Sequence, residues 1–185
     1  MIITYQGRDS FKISQGDLGL SLNPQSKVSA DVTLFSTVRN ETSDKSGFVV
    51  DGPGEYEIKD IFIKGFLSSG KDGKINTIYL ISFEGMKLCF LGSLGSTQLP
   101  TETLEAIEDI DILFVPVDSL TPATAYKLAV SFEPSVIIPM HYTDTSLKQL
   151  LKEAGEKGGE AVEKFVVKKK DLEGKEGEIV VLKEE

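Results

Sequence analysis

Apolar and polar residues alternate through short runs over roughly the first 90 residues, separated by Gly, Asn, Asp and Ser, which is the period of half-buried strands bounded by turns. The runs predict strands at Ile2 to Gln6, Phe11 to Ser14, Leu18 to Leu22, Val32 to Ser36, Phe48 to Val50, Ile61 to Phe66, Thr77 to Phe83 and Lys87 to Leu91. The last two, joined around Glu84-Gly85-Met86, form the clearest hairpin. Asp51-Gly52-Pro53-Gly54-Glu55 reads as a tight turn between strands.

After Leu94 the period changes, and helices alternate with continuous apolar strands. Pro100 to Glu108 predicts a helix with Leu104 and Ile107 on one face, followed by a buried strand over Ile110 to Val117. A second helix starts near Thr121-Pro122, with proline in its first turn and Ala125, Leu128, Ala129 and Phe132 at helical spacing. Pro134 closes it, and a strand runs through Val136-Ile137-Ile138-Pro139-Met140 to His141. A third helix is expected from a capping box formed by Ser146 and Gln149, burying Leu147, Leu150, Leu151 and Ala154, and Gly155 ends it. From 156 to 185 the composition turns to Lys, Glu and Gly, with Phe165-Val166-Val167 and Ile179 to Leu182 as short edge strands joined by a mobile turn. We read one domain over 1–185: an α/β chain with a β-rich first half and strand-helix units after it, arranged as two face-to-face sheets with helices outside.

Charge narrows the partners. The chain carries 20 Lys and Arg against 29 Asp and Glu, a formal charge of −9, which opposes approach to phosphate backbones, and its one dense basic cluster, Lys168-Lys169-Lys170, is flanked by acids. Nucleic acid is therefore excluded as the expected partner. No stretch approaches the roughly 20 apolar residues of a membrane helix, and no basic segment with an apolar core opens the sequence, so a cytoplasmic location is expected. The one cysteine, Cys89, rules out a disulfide framework and reads as a small buried residue of its strand.

Five segments in order carry a resemblance: Thr4 to Phe11, Ala30 to Ser36, Val49 to Glu57, Leu91-Gly92-Ser93-Leu94-Gly95, and Ile138-Pro139-Met140-His141-Tyr142. Over roughly residues 1 to 145 the chain resembles the metallo-β-lactamase superfamily, in particular small stand-alone hydrolases related to the ascorbate-phosphate lactonase. The resemblance implies an αββα sandwich whose zinc ligands sit on loops at one edge: an early histidine, a His-x-His-x-Asp-His segment, a middle histidine, a bridging aspartate and a last histidine. Carried onto this chain, Arg8 takes the early histidine position. Thr37, Arg39, Glu41 and Thr42 take the His-x-His-x-Asp-His positions, Ser69 or Ser68 the middle histidine, and Ser93 the aspartate. His141 alone matches.

One histidine, one glutamate and neutral hydroxyls do not supply the three or more nitrogen and carboxylate ligands such a zinc site needs, so no resident metal is expected. The two arginines of the whole chain, Arg8 and Arg39, both fall on lost ligand positions. Two arrangements are open: both guanidinium groups paired with carboxylates such as Glu41, Asp9, Asp51 or Asp118, closing the cleft, or a free arginine beside His141, Thr37 and Ser93 that binds a small anion. Ser93 and His141 as nucleophile and base lack a Gly-x-Ser-x-Gly elbow. The expectation is a non-catalytic relative acting by binding, with Arg8, Arg39 and His141 as anion-binding candidates, or by assembly with itself or a related protein. A hydrolase with a rearranged mononuclear or metal-free site is the alternative.

Overall fold

The computed structural model describes residues 1–26, 29–38, 47–155 and 160–185. Two sheets account for the strands. Strands β1 (Ile2–Tyr5), β2 (Phe11–Gln15), β3 (Leu18–Leu22), β4 (Val32–Leu34), β5 (Phe48–Val50) and β12 (Phe165–Val166) form a six-stranded sheet in the order β12-β1-β2-β3-β4-β5. The other seven are β6 (Gly54–Ile58), β7 (Ile61–Ser69), β8 (Ile75–Phe83), β9 (Met86–Phe90), β10 (Ile112–Pro116), β11 (Val136–Met140) and β13 (Glu178–Ile179), in the order β13-β11-β10-β9-β8-β7-β6.

Alternation decides what each sheet buries. Ile3, Tyr5, Phe11, Ile13, Leu20, Leu22 and Val32 from one sheet meet Ile63, Tyr79, Ile81, Leu88, Phe90, Phe114 and Ile138 from the other in a single core cluster. The reverse face of the seven-stranded sheet carries Ile78, Cys89, Leu91, Leu113, Val115 and Ile137, packed in a second cluster with residues of the helices α1 (Thr101–Ala106), α2 (Pro122–Ser131) and α3 (Asp144–Glu153). Because β9, β10 and β11 run parallel and are covered on both faces, they read as continuous apolar runs rather than alternating ones. Pro139 is tolerated within β11 because pairing with β13 stops at Ile137, so its missing N–H breaks no ladder bond on that side.

Three expectations need correction. The segment read as a tight turn, Asp51 to Glu55, is only partly turn: Gly54 and Glu55 begin β6, an edge strand paired with β7 from Gly54↔Gly65 to Ile58↔Ile61. Helix α3 starts earlier than expected, with Thr143 as N-cap, and the reciprocal box is Thr143 with Ser146: the Thr143 hydroxyl accepts the Ser146 N–H, and the Ser146 hydroxyl accepts the Thr143 N–H. Between β12 and β13 there is a 3-10 turn over Lys169–Leu172 instead of an unanchored connection. Leu172 is buried in the inter-sheet core, and Lys169 reaches the Asp111 carboxylate at 2.7 Å.

No helix among the described residues is long and apolar enough to cross a membrane.

Candidate functional site

The ends of β1, β3, β4, β7, β9 and β11 converge at one edge of the sandwich. His141 follows the last residue of β11 in the left-handed region at φ 50°, and Arg8, in the turn after β1, has φ 56°. Such angles are uncommon for residues with a Cβ and cost each of them of order 1 kcal/mol or more. Here the two are held together, because the His141 N–H donates to the Arg8 carbonyl at 2.5 Å and the Tyr5 hydroxyl donates to the same oxygen at 2.9 Å. The His141 carbonyl in turn accepts the Asp118 N–H at 2.9 Å. The imidazole Nδ1 is buried with no hydrogen-bond partner among the described residues.

Beside this pair lies a connected set of amides and hydroxyls. Asn23, just past β3, donates from Nδ2 to Asp9 Oδ2 at 2.7 Å and to Ser36 Oγ at 2.8 Å, while its Oδ1 accepts the Ser36 N–H at 2.8 Å. Asn76, fully buried in β8, donates to Ser68 Oγ at 2.8 Å and to the Leu91 carbonyl at 3.0 Å, and accepts the Ser93 N–H at 2.8 Å. Ser93 Oγ closes the circuit to Asp9 Oδ2 at 3.4 Å. Gly92, at φ 59°, lies directly against Ser36 and Asn76, so the two asparagine clusters touch through it.

The structure therefore brings Arg8, Ser93 and His141 into one region, with Thr37 lining a cavity of about 150 Å³ together with Arg8, Asp9, Asn23 and Gln25. Of the two serines left open by the sequence, Ser68 joins the network, while Ser69 is exposed and engages through its carbonyl, which accepts the Gly95 N–H. Arg39, Glu41 and Thr42 lie outside the described residues. Arg8 is exposed and makes no ion pair among the described residues, and Lys71 at the tip of the β7–β8 hairpin directs its ammonium to the Asp118 carbonyl at 3.5 Å. Asn23, Ser36 and Asn76 carry the site and were not singled out from the sequence. Asn76 alone left a signal there, as an amide inside an otherwise apolar strand run.

A metal ion fits this donor set poorly. Among the described residues no group of three His, Cys, Asp or Glu side chains converges, Asp9 Oδ2 already accepts two hydrogen bonds, and the remaining groups are neutral amides and hydroxyls. His141 Nδ1 is the one available imidazole donor.

Burial also sets the alkaline behaviour of the fold. Burial, with Tyr142, Glu184 and Asp9 nearby, raises Tyr5; burial raises Tyr79, and burial with Glu184 and Asp144 raises Tyr142. Burial alone pushes the Cys89 thiol up. A folded-state pKa above the unfolded value means stability that is complete below the unfolded pKa and lost as pH climbs past it, here from about 8.5 for cysteine and about 10 for tyrosine. We expect the urea midpoint to hold level to about pH 8 and to fall progressively above it. Cys89→Val should remove the part beginning near pH 8.5, at about 1.4 kcal/mol per pH unit, and leave the steeper fall above pH 10. Identical midpoint curves for the two proteins would refute the assignment to Cys89.

Comparison with known proteins agrees with this architecture. The beta-lactamase superfamily domain matches residues 2–141. A protein of known structure from Thermotoga maritima, described as a zinc-dependent hydrolase of the metallo-β-lactamase superfamily, is 30% identical, with a TM-score of 0.82 over 98% of this chain and 97% of its own. The chain belongs to the metallo-β-lactamase superfamily, and its fold is the α/β sandwich of that superfamily. Two more distant structures share the fold alone. A Parabacteroides distasonis protein described as a metal-dependent hydrolase is 17% identical with TM-score 0.66, covering 97% of this chain and 91% of its own. The isothiocyanate hydrolase of Delia radicum gut bacteria is 8% identical with TM-score 0.67, covering 100% of this chain and 97% of its own. Curated proteins yield no match.

Proposed function

We propose that this chain is a non-catalytic member of its superfamily that binds a small anion at the edge where its relatives' metal chemistry would lie. One observation carries the reading: the Asp9 carboxylate is tied to Asn23 and Ser93, and the Ser93 N–H to Asn76, so these groups satisfy one another and His141 is left as a lone candidate ligand among the described residues. A lone carboxylate without two further His, Cys, Asp or Glu side chains converging on it among the described residues does not hold zinc, and without a metal no bound water reaches a pKa near 7. What remains outward-facing is the Arg8 guanidinium, free of ion pairs among the described residues, with Thr37 and Gln25 around the same small cavity and the Asp9 carboxylate in its wall, turned to Asn23 and Ser93. A planar, permanently charged donor fork suits carboxylate or phosphate recognition. The family fold supplies no function by itself once the site residues differ.

The test is elemental analysis of protein purified after supplementation with zinc, manganese or iron, alongside turnover of a phosphorylated lactone, a phosphodiester and a thioester. We expect metal far below one equivalent and hydrolysis at the buffer rate. A stoichiometric metal, or turnover that His141→Ala abolishes, would establish the hydrolase with a rearranged site in its place.

A further inference from the structure

The same edge carries an apolar feature that the polar network does not use. Along β7 and β8, odd-numbered positions face the other sheet: Ile61, Ile63, Tyr79 and Ile81 fill the inter-sheet core. Leu67 and Ile75 continue that face toward the hairpin tip, where Leu67 pairs with Thr77 and Ile75 with Ser69, yet they are 58% and 57% exposed. They lie on an inward face beyond the point where the six-stranded sheet covers it. The six-stranded sheet reaches this point through the Ser36 carbonyl, which accepts the Thr77 N–H at 2.7 Å. Two residues further along, Val38 is 68% exposed. Its neighbour Thr37 lines the Arg8 cavity. Three exposed aliphatic side chains thus border the edge that holds the Arg8 guanidinium, which has no ion pair among the described residues.

We infer that the ligand is an amphiphilic monoanion, an alkyl chain of roughly four to eight carbons ending in a carboxylate or phosphate. This rests on the anion-binding reading above and adds the tail. The head group pairs with Arg8 and Thr37. Thr77, whose N–H bonds the Ser36 carbonyl, pairs with Leu67 and lies two residues from Ile75, so a tail leaving Thr37, the residue after Ser36, starts beside this apolar face. Each methylene taken out of water then strengthens binding by up to roughly fourfold.

The experiment is calorimetric titration of the full chain with acetate, hexanoate, octanoate, inorganic phosphate and hexyl phosphate, each below its micellar concentration. Four proteins are compared: the unaltered chain, Arg8→Gly, the double variant Leu67→Ser/Ile75→Ser, and Phe62→Ser. Glycine suits the left-handed backbone at position 8, and the exposed positions 62, 67 and 75 tolerate serine, so all four should fold. We expect octanoate to bind at least tenfold more tightly than acetate, and hexyl phosphate more tightly than phosphate. The double variant should lose that gain and keep acetate and phosphate affinity, while Arg8→Gly loses both. Phe62, half exposed in a separate groove beside Leu80 and Ala106, controls for unspecific uptake, and its variant should bind like the unaltered chain. Short anions that bind with no dependence on chain length would overturn the tail and leave the anion reading standing. A gain that survives in the double variant, or that Phe62→Ser removes, overturns it as well. If neither acetate nor phosphate binds and Arg8→Gly changes nothing, the anion reading itself fails.

Discussion

Gly92→Ala should lower the unfolding free energy by about 2–5 kcal/mol, a large share of the roughly 5–15 kcal/mol that holds a domain together. Two terms add. The backbone at φ 59° is open to glycine and costs a residue with a Cβ about 1–2 kcal/mol. The added methyl would then lie 2.5 Å from Asn76 Oδ1, 2.5 Å from Ser36 Cβ and 2.6 Å from Ser36 Oγ. Neither neighbour can retreat freely: Asn76 is held by the Leu91 carbonyl and the Ser93 N–H, Ser36 by both ends of the Asn23 amide. Overpacking against fixed groups costs roughly a further 1–3 kcal/mol. Gly85 provides the comparison, since it has φ 72° in the β8–β9 turn and nothing within 4 Å of a Cβ. Gly85→Ala should show the backbone term alone, about 1–2 kcal/mol by urea denaturation. If the two variants lose the same stability, the close contact at Gly92 is not what the geometry says.

That contact shows where sequence reasoning stops. The strands were legible because one face of each is buried: alternation along β1, β2 and β3 reproduces which residues enter the core. Strand β6 escaped because it is a polar edge. Its Glu55 and Glu57 are exposed, Tyr56 and Ile58 only half-buried, and Gly52-Pro53-Gly54 before them is genuine turn chemistry. The start of α3 was misplaced because Thr143 and Ser146 are both good capping residues, and only the hydrogen bonds decide which one caps. The site was legible as a set of positions, since His141, Arg8 and Ser93 each stand where a buried strand ends, and the structure brings those ends together. Its chemistry was less so. The expectation centred on arginine charge, whereas the described residues meet there through asparagine amides. Asn23 and Ser36 are 13 residues apart, Asn76 and Ser93 17, and Ser93 and Asp9 84. No local pattern announces partners at such separations, because nothing but the packed sheets brings them within 3 Å or so.

Asn76→Leu tests whether those amides close the edge. Leucine shares the branching of asparagine at Cγ, though its methyl groups are larger than the amide atoms, and would suit a fully buried strand position by hydrophobicity alone. On that ground the substitution should be harmless. The hydrogen bonds predict otherwise. The Leu91 carbonyl keeps the Leu94 N–H, but the Ser93 N–H would lose its partner, and a buried polar group left unpaired costs about 1–3 kcal/mol. Ser68 is half-buried and can turn to water, so it adds little. The expected loss is therefore about 1–3 kcal/mol. Stability alone would not locate the effect, so the sharper readout is amide exchange. The Ser93 N–H is bonded to Asn76 and not to any strand, and in Asn76→Leu its exchange should rise well beyond what the global destabilisation explains, while amides in the β1–β2 ladder follow the global change. Protection at Ser93 that falls only in step with that ladder would mean the Asn76 amide does not hold the Leu91–Ser93 turn. The Asp9–Ser93 contact would then lose its support as the ground for proposing an anion rather than a metal at this edge.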